Sequence, residues 1–296
     1  GYMDDGTRTA YETNVVLFGL KSQWPRMSVT NTEVDYEIPF VVEDEQLKFS
    51  AESGKKRFGA MLDSASQITV IDRELVQQLE LNISADSIQF NETRCSLTLL
   101  DTLQLGDAKY VNVVCAVLPL KEVGVTDCSM ILGNDMLCLF PEIELDYEHY
   151  MLHLRYQYDI LPNTPRNLMF NKVPYIQAKI DGLPTTILWD TGSNKSSIEP
   201  HFYNAHCDQL PATSKHGRKR GKTATGKTSK LKYAILPLIE LTVGDKTGKM
   251  NSLYMIEDMP HSELMGVPFD ATLGAVPPVE FKRLTINFRE MYFIVR

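Results

Sequence analysis

The 296-residue sequence has no long apolar run. Its most apolar stretches, such as Asn14–Leu20 and Val111–Leu120, stop well short of the roughly 20 residues a membrane-crossing helix needs, so no membrane span is expected. No signal peptide is visible at the start. The chain opens at Gly1, and the expected location is exported, periplasmic or secreted, with a leader already removed. Glycine and proline, 17 and 15 residues, are not in excess, which excludes collagen-like and low-complexity chains. Positive charge is short: 30 Lys and Arg stand against 38 Asp and Glu, a net −8. That balance removes the broad electropositive face of a nucleic-acid binder. Cysteine is scarce too. Cys95, Cys115, Cys128, Cys138 and Cys207 form no CxxC pair, and an odd count cannot all be bridged, so buried free thiols are expected.

What the sequence does have is an internal repeat. One copy opens at Ile38-Pro39-Phe40-Val41-Val42 and reaches Leu62-Asp63-Ser64-Ala65-Ser66. The other opens at Val173-Pro174-Tyr175-Ile176 and reaches Trp189-Asp190-Thr191-Gly192-Ser193. The ends match without gaps at an offset of 141: Ile131-Leu132-Gly133 answers Thr272-Leu273-Gly274, Phe140 answers Phe281, and Arg155 answers Arg296. The aspartates are offset by 127, so the second copy holds a net insertion, placed at His206–Lys230.

Short apolar or alternating runs dominate: Tyr36–Val42, Phe58–Leu62, Val111–Leu118, Ile143–Tyr147, Tyr175–Ile180, Thr186–Trp189, Leu236–Val243 and Phe288–Val295 read as strands. One helix is expected after each aspartate, Ile71–Leu81 capped by Asp72 and Glu199–Leu210 with Pro200 at its first position. Tyr156–Asn171 reads as the linker. The expectation is a mainly all-β protein of two lobes, 1–158 with an N-terminal extension and 159–296.

Each aspartate ends an apolar strand and precedes small hydroxylated residues. A carboxylate there is costly unless hydrogen-bonded or shared. Tight-turn amides and the hydroxyls of Ser64, Ser66, Thr191 and Ser193 can supply the bonds, and Gly192 allows close backbone approach. If the halves pack about a pseudo-twofold axis, Asp63 and Asp190 face each other and share a proton. Such a pair holds one acid and one base around a water, able to attack a peptide carbonyl.

Asp190-Thr191-Gly192-Ser193 resembles the Asp-Thr/Ser-Gly signature of aspartic proteases, and Leu132-Gly133 and Leu273-Gly274 resemble the motif that follows it. The intervals of 70 and 84 residues between aspartate and glycine resemble the retropepsin-like lobe. Ile131-Leu132-Gly133-Asn134-Asp135-Met136-Leu137 is similar to the family's Gly-x-Asp-x-Leu ending. The resemblance implies two pseudo-twofold-related retropepsin-like β-barrel lobes, each with one short helix or more, and a cleft between them. It implies aspartic endopeptidase chemistry on a peptide or protein substrate by a monomer. It also implies reciprocal hydroxyl contacts from Ser64 and Thr191 beneath the aspartates. Two departures stand out: Ala65 replaces the expected Gly, and Ala275-Val276-Pro277-Pro278 replaces the helix start. A catalytically weak or inactive peptide-binding protein is the alternative that Ala65 motivates.

Three other signals point elsewhere. Gly221–Thr228 matches a phosphate-loop pattern but lacks the strand before and helix after that converge amides on phosphate. Lys215–Lys232 is a basic island, read as a solvated loop or as a surface meeting acidic partners. His149 and His153 are four apart but on an expected strand, without a third ligand, so neither metal nor cofactor is expected. No Gly-x-Ser-x-Gly elbow and no Cys/His nucleophile pattern competes.

Overall fold

A computed structural model describes residues 24–90, 93–222, 228–258 and 262–296. The segment Asn14–Leu20 lies outside them, as does most of the phosphate-loop-like octet. The first half runs β1 (Ser28–Val29), β2 (Tyr36–Pro39), β3 (Val41–Glu43), β4 (Gln46–Ser53) and β5 (Lys56–Leu62) to Asp63. Beyond the aspartate come β6 (Val70–Asp72), helix α1 (Arg73–Gln78), β7 (Ile83–Phe90), β8 (Thr93–Leu105) and β9 (Ala108–Leu118). Helix α2 (Leu120–Val123), β10 (Met130–Leu132), helix α3 (Asn134–Leu137), β11 (Glu142–Asp146) and β12 (Met151–Arg155) complete it.

The second half repeats the plan. After β13 (Leu168–Asn171), β14 (Val173–Ile180) and β15 (Leu183–Trp189) lead to Asp190. Then follow β16 (Ser197–Ile198), helix α4 (Pro200–Ala205), β17 (Lys215–Lys222), β18 (Thr228–Val243) and β19 (Lys246–Ile256). The small hairpin β20 (Glu263–Leu264) and β21 (Val267–Pro268) precedes β22 (Ala271–Leu273), β23 (Arg283–Asn287) and β24 (Tyr292–Val295).

The expected mainly-β, two-lobed architecture is what the chain adopts. A nine-stranded sheet from the first half and an eight-stranded sheet from the second flank a five-stranded sheet, ordered β2-β12-β11-β23-β24. In that middle sheet β11 pairs antiparallel with β23 over five residue pairs, from Glu142↔Asn287 to Asp146↔Arg283, so the two halves share a ladder. The offset of 141 reappears in the elements, since β10, β11 and β12 answer β22, β23 and β24. Local turn chemistry fixes the hairpins that feed the site. Between β14 and β15, Asp181 and Gly182 both take positive φ, 46° and 82°, the two-residue turn whose twist matches the strands it joins.

Several boundaries differ from the sequence expectation. The first helix starts at Arg73, because Val70–Asp72 is taken by a ladder with β9 and β10. Asp72 sits at the N-cap position, yet its carboxylate accepts from the Leu120 N–H at 2.8 Å instead of capping. The second helix keeps Pro200 at its start but ends at Ala205. Leu168–Asn171, assigned to the linker, is a strand. The expected strand Phe288–Val295 is broken by a turn in which Met291 has φ 58°. Lys215–Lys222 pairs with Thr228–Val243 as a β-ribbon rather than a loop, so what surrounds the phosphate-loop pattern is strand on both sides. Four cysteines are buried free thiols, but Cys207 is exposed.

Candidate active site

Strand β5 delivers Asp63 and strand β15 delivers Asp190. Each strand is locked by a parallel partner: β10 lies beside Ala60–Leu62, and β22 beside Ile187–Trp189. The aspartate amides continue those ladders, Asp63 N–H donating to Leu132 O at 3.0 Å and Asp190 N–H to Leu273 O at 2.9 Å. That is where Leu132 and Leu273 act, as buried strand residues holding the aspartates in register. The glycines behind them are steric necessities. A Cβ on Gly133 would lie 2.6 Å from the Ile68 carbonyl carbon, and one on Gly274 2.7 Å from Ser193 O. Each post-aspartate loop folds directly onto its glycine.

The residues after the aspartates tie the halves together. Ser64 N–H donates to Thr191 Oγ1 and Thr191 N–H donates to Ser64 Oγ, both at 2.9 Å. Each hydroxyl then donates across the seam to the opposite half, Ser64 Oγ to Trp189 O at 2.7 Å and Thr191 Oγ1 to Leu62 O at 3.1 Å. Both side chains are buried, so removing either hydroxyl leaves orphaned backbone groups on the other half. Ser66 and Ser193 serve their own loops, donating to Ile68 O and Lys195 O at 2.7 and 2.8 Å.

The carboxyl groups themselves are partly buried and close enough for each to influence the other's titration. Ala65 N–H donates to Asp63 Oδ1 at 2.9 Å, while Gly192 and Ser193 N–H donate to Asp190 Oδ1 at 3.0 and 3.1 Å. Burial pushes both carboxyls up, and the backbone N–H bonds only partly offset it. Asp190, buried and also facing the charge of Asp63, is pushed up to about 8. The pair therefore retains a proton at pH values where isolated carboxylates have lost theirs.

Gly192 and Ala65 occupy matching positions but not matching space. A Cβ on Gly192 would lie 2.5 Å from Asp63 Cγ. The methyl of Ala65 packs instead on a cluster formed by Val173, Tyr175, Leu188 and Phe269. The departure from glycine is thus accommodated, and the Ala65 amide still reaches Asp63.

Four supporting residues escape a reading limited to the aspartate motifs. Thr69 Oγ1 accepts from Gly133 N–H at 3.1 Å, and Ser196 Oγ accepts from Gly274 N–H at 3.0 Å. They stand at the same offset of 127 as the aspartates, which is the signal that finds them. Asn134 donates its side-chain amide to Ser64 O and its backbone N–H to Ser66 O. Asp135 is fully buried and accepts from Thr69 Oγ1 at 2.8 Å. The second half has no such side chains: Ala275 N–H alone donates to Ser193 O, and no helix follows Gly274. His149 and His153 face different carboxylates, Asp146 and Glu37.

Residues 49–136 match the family model described as "Aspartyl protease", a stretch that holds Asp63, Leu132 and Gly133. No curated protein matches the chain. Among solved structures, the chain resembles an aspartic proteinase from Irpex lacteus with a TM-score of 0.51 at 13 % identity, covering 88 % of this chain and 96 % of that one. At that identity the likeness is one of fold. A retropepsin-like aspartic protease from Rickettsia conorii aligns at TM-score 0.32 and 17 % identity, over 43 % of this chain and 93 % of its own.

Proposed function

We propose that the chain is an aspartic endopeptidase whose catalytic pair is Asp63 and Asp190, a reading supported by the aspartyl-protease model matched over residues 49–136 and by the likeness of fold to an aspartic proteinase. The observation that carries the reading is the seam itself: Ser64 and Thr191 exchange hydrogen bonds beneath the two aspartates, and Gly192 lies directly against the Asp63 carboxyl. Two carboxyls, one from each half, stand beside each other and are both raised by burial. In the singly protonated pair, ionised Asp63 takes a proton from a water between the two groups as its oxygen attacks the peptide carbonyl carbon. Asp190 gives its proton to the carbonyl oxygen, and the proton gathered by Asp63 passes to the leaving nitrogen. Ser64, Thr191, Gly192, Ser66 and Ser193 hold the pair in place. Substrate is a peptide or protein segment, and the two halves of one chain suffice for the site.

Asp190→Asn should abolish cleavage of a diverse peptide mixture, read by mass spectrometry, while circular dichroism and melting temperature stay those of a folded chain. Undiminished cleavage would sink the assignment. The rate should also fall as pH rises and the last shared proton leaves, since the acid half of the pair is then gone. A rate that climbs steadily with pH contradicts it.

A further inference from the structure

One fully buried acid takes no part in the chemistry proposed above. Asp135 belongs to α3, whose first two residues are bonded to the segment that follows Asp63. Asn134 donates to Ser64 O through its side chain and to Ser66 O through its backbone N–H. Asp135 Oδ1 accepts from Thr69 Oγ1 at 2.8 Å, and a Cβ on Gly133 would lie 2.9 Å from that same oxygen. Thr69 Oγ1 in turn accepts from Gly133 N–H at 3.1 Å. Across the same peptide unit, the Leu132 carbonyl accepts from Asp63 N–H at 3.0 Å. Three hydrogen bonds and one peptide plane thus run without a gap from the Asp135 carboxyl to the Asp63 backbone.

The second half starts the same run and does not finish it. Asp190 N–H donates to Leu273 O at 2.9 Å, and Gly274 N–H donates to Ser196 Oγ at 3.0 Å. One repeat on from Asp135 stands Val276, exposed, so no carboxyl closes the chain there. The Asp63 side alone ends on an ionisable group. In such a chain each bond polarises the next. A carboxylate also accepts from a hydroxyl about twice as strongly as a neutral oxygen does. Charge on Asp135 is therefore felt at Asp63.

We propose that Asp135 is a positioning residue for Asp63, its charge acting through Thr69 and the Leu132–Gly133 peptide on the backbone that holds that carboxyl; the proposal rests on the peptidase reading above. Among the described residues, Tyr110 and Cys115 of β9 are the ionisable side chains that sense Asp135. Burial keeps both protonated beyond the range in which carboxyls titrate. Cys138, on its own helix, turns its thiol to the Asp135 carbonyl at 3.7 Å. Thr69 engages Oδ1, which leaves Oδ2, without a partner among the described residues, to carry the proton. Burial pushes that carboxyl up to about 7, so the relay changes strength near neutral pH.

The relay is read first without catalysis. In the full chain carrying Asp63→Asn and Asp190→Asn, which removes the pair's own titration, backbone amide shifts are followed by NMR as pH rises through neutrality. The amides of Thr69, Gly133 and position 63 should move together with one midpoint near 7, while those of Gly274 and position 190 stay still. Adding Asp135→Asn, which keeps an acceptor for Thr69, should flatten all three curves. Flat curves before that change, or curves that survive it, overturn the proposal. Cleavage supplies the second arm. Asp135→Leu leaves the Thr69 hydroxyl without its acceptor and should lower kcat about tenfold with KM unchanged, part of the roughly 100-fold that a misplacement of about 1 Å costs. Asp135→Asn should restore kcat on the acid side of neutrality. Should Asp135→Leu fail to fold, Thr69→Val cuts the same relay and should give the same split. A variant that loses melting temperature but keeps the wild-type kcat has lost structure alone, and overturns the proposal. Wild-type chain that cuts nothing overturns the peptidase reading instead, and the amide curves still decide the relay.

Discussion

At the scale of single residues, the position two residues after each aspartate shows how far the two halves are free to differ. Gly192 has no room for a side chain because Asp63 fills the space, so Gly192→Ala must displace that carboxyl. A shift near 1 Å at a reacting group costs about 100-fold in rate, and a loss of that order in kcat/KM is expected. Ala65→Gly should do the reverse. It removes a methyl packed on Leu188 and Phe269 and adds backbone freedom, at about 1 kcal/mol of stability, while peptide cleavage continues. A chemical denaturation curve and a cleavage assay on the same two variants separate these outcomes. Inactivation by Ala65→Gly would show that the methyl positions Asp63 rather than merely filling space.

At the scale of elements, α3 is the piece one half has and the other lacks. Its first turn places Asp135 in a fully buried site, where burial pushes the carboxyl up to about 7 and Oδ2 finds no partner. An unfolded aspartate titrates near 3.9. Between those values the folded chain keeps a proton that the unfolded chain has released, so stability declines as pH rises from about 4 to 7, by up to about 4 kcal/mol. Asp135→Asn retains an acceptor for Thr69 and cannot ionise. Its melting temperature should pull ahead of wild type across that window and hold the lead above it; two parallel curves would refute the account. Much of this layer was legible beforehand. The strands ending at Asp63 and Asp190 and the segments from Met130 and Ala271 onward follow from apolar runs and the 141 offset. The break in the expected strand Phe288–Val295 was not legible: it appears only in the structure, where Tyr150 and Met291, one repeat apart, both take positive φ at the same turn. The ribbon from Lys215 was not legible. Its residues carry no alternation of apolar and polar, and it is a strand only because β18 pairs with it. Likewise α3 hides Asn134 and Asp135, whose burial depends on a loop 70 residues earlier in the chain.

At the scale of the whole molecule, the middle sheet joins the halves through charge as well as backbone. Glu142 and Glu144 are buried on β11, and Arg155 reaches both, at 3.1 and 3.0 Å. Tyr292, Asn287 and Thr285 from the other half complete their hydrogen bonds. The sequence repeat equates Arg155 with Arg296, yet Arg296 stands 3.9 Å from Glu144 and is half exposed. Arg155→Met strands two buried carboxylates and should cost about 3 kcal/mol, whereas Arg296→Met should cost less than about 1 kcal/mol. Equal costs in urea unfolding would show that the repeat, not the geometry, sets their worth.

The ladder between β11 and β23 has a further consequence. Both its strands belong to one chain, and residues 156–167 run between β12 at the end of the first half and β13 at the start of the second. Nothing in the hydrogen-bond pattern requires the two partners to be covalently joined. The first half of one molecule can therefore close on the second half of another, giving a domain-swapped dimer with two complete sites. Refolding at high protein concentration should yield such a dimer, separable by size-exclusion chromatography. Mixing two inactive parents, one carrying Asp63→Asn and the other Asp190→Asn, before refolding should then restore cleavage that neither parent shows alone.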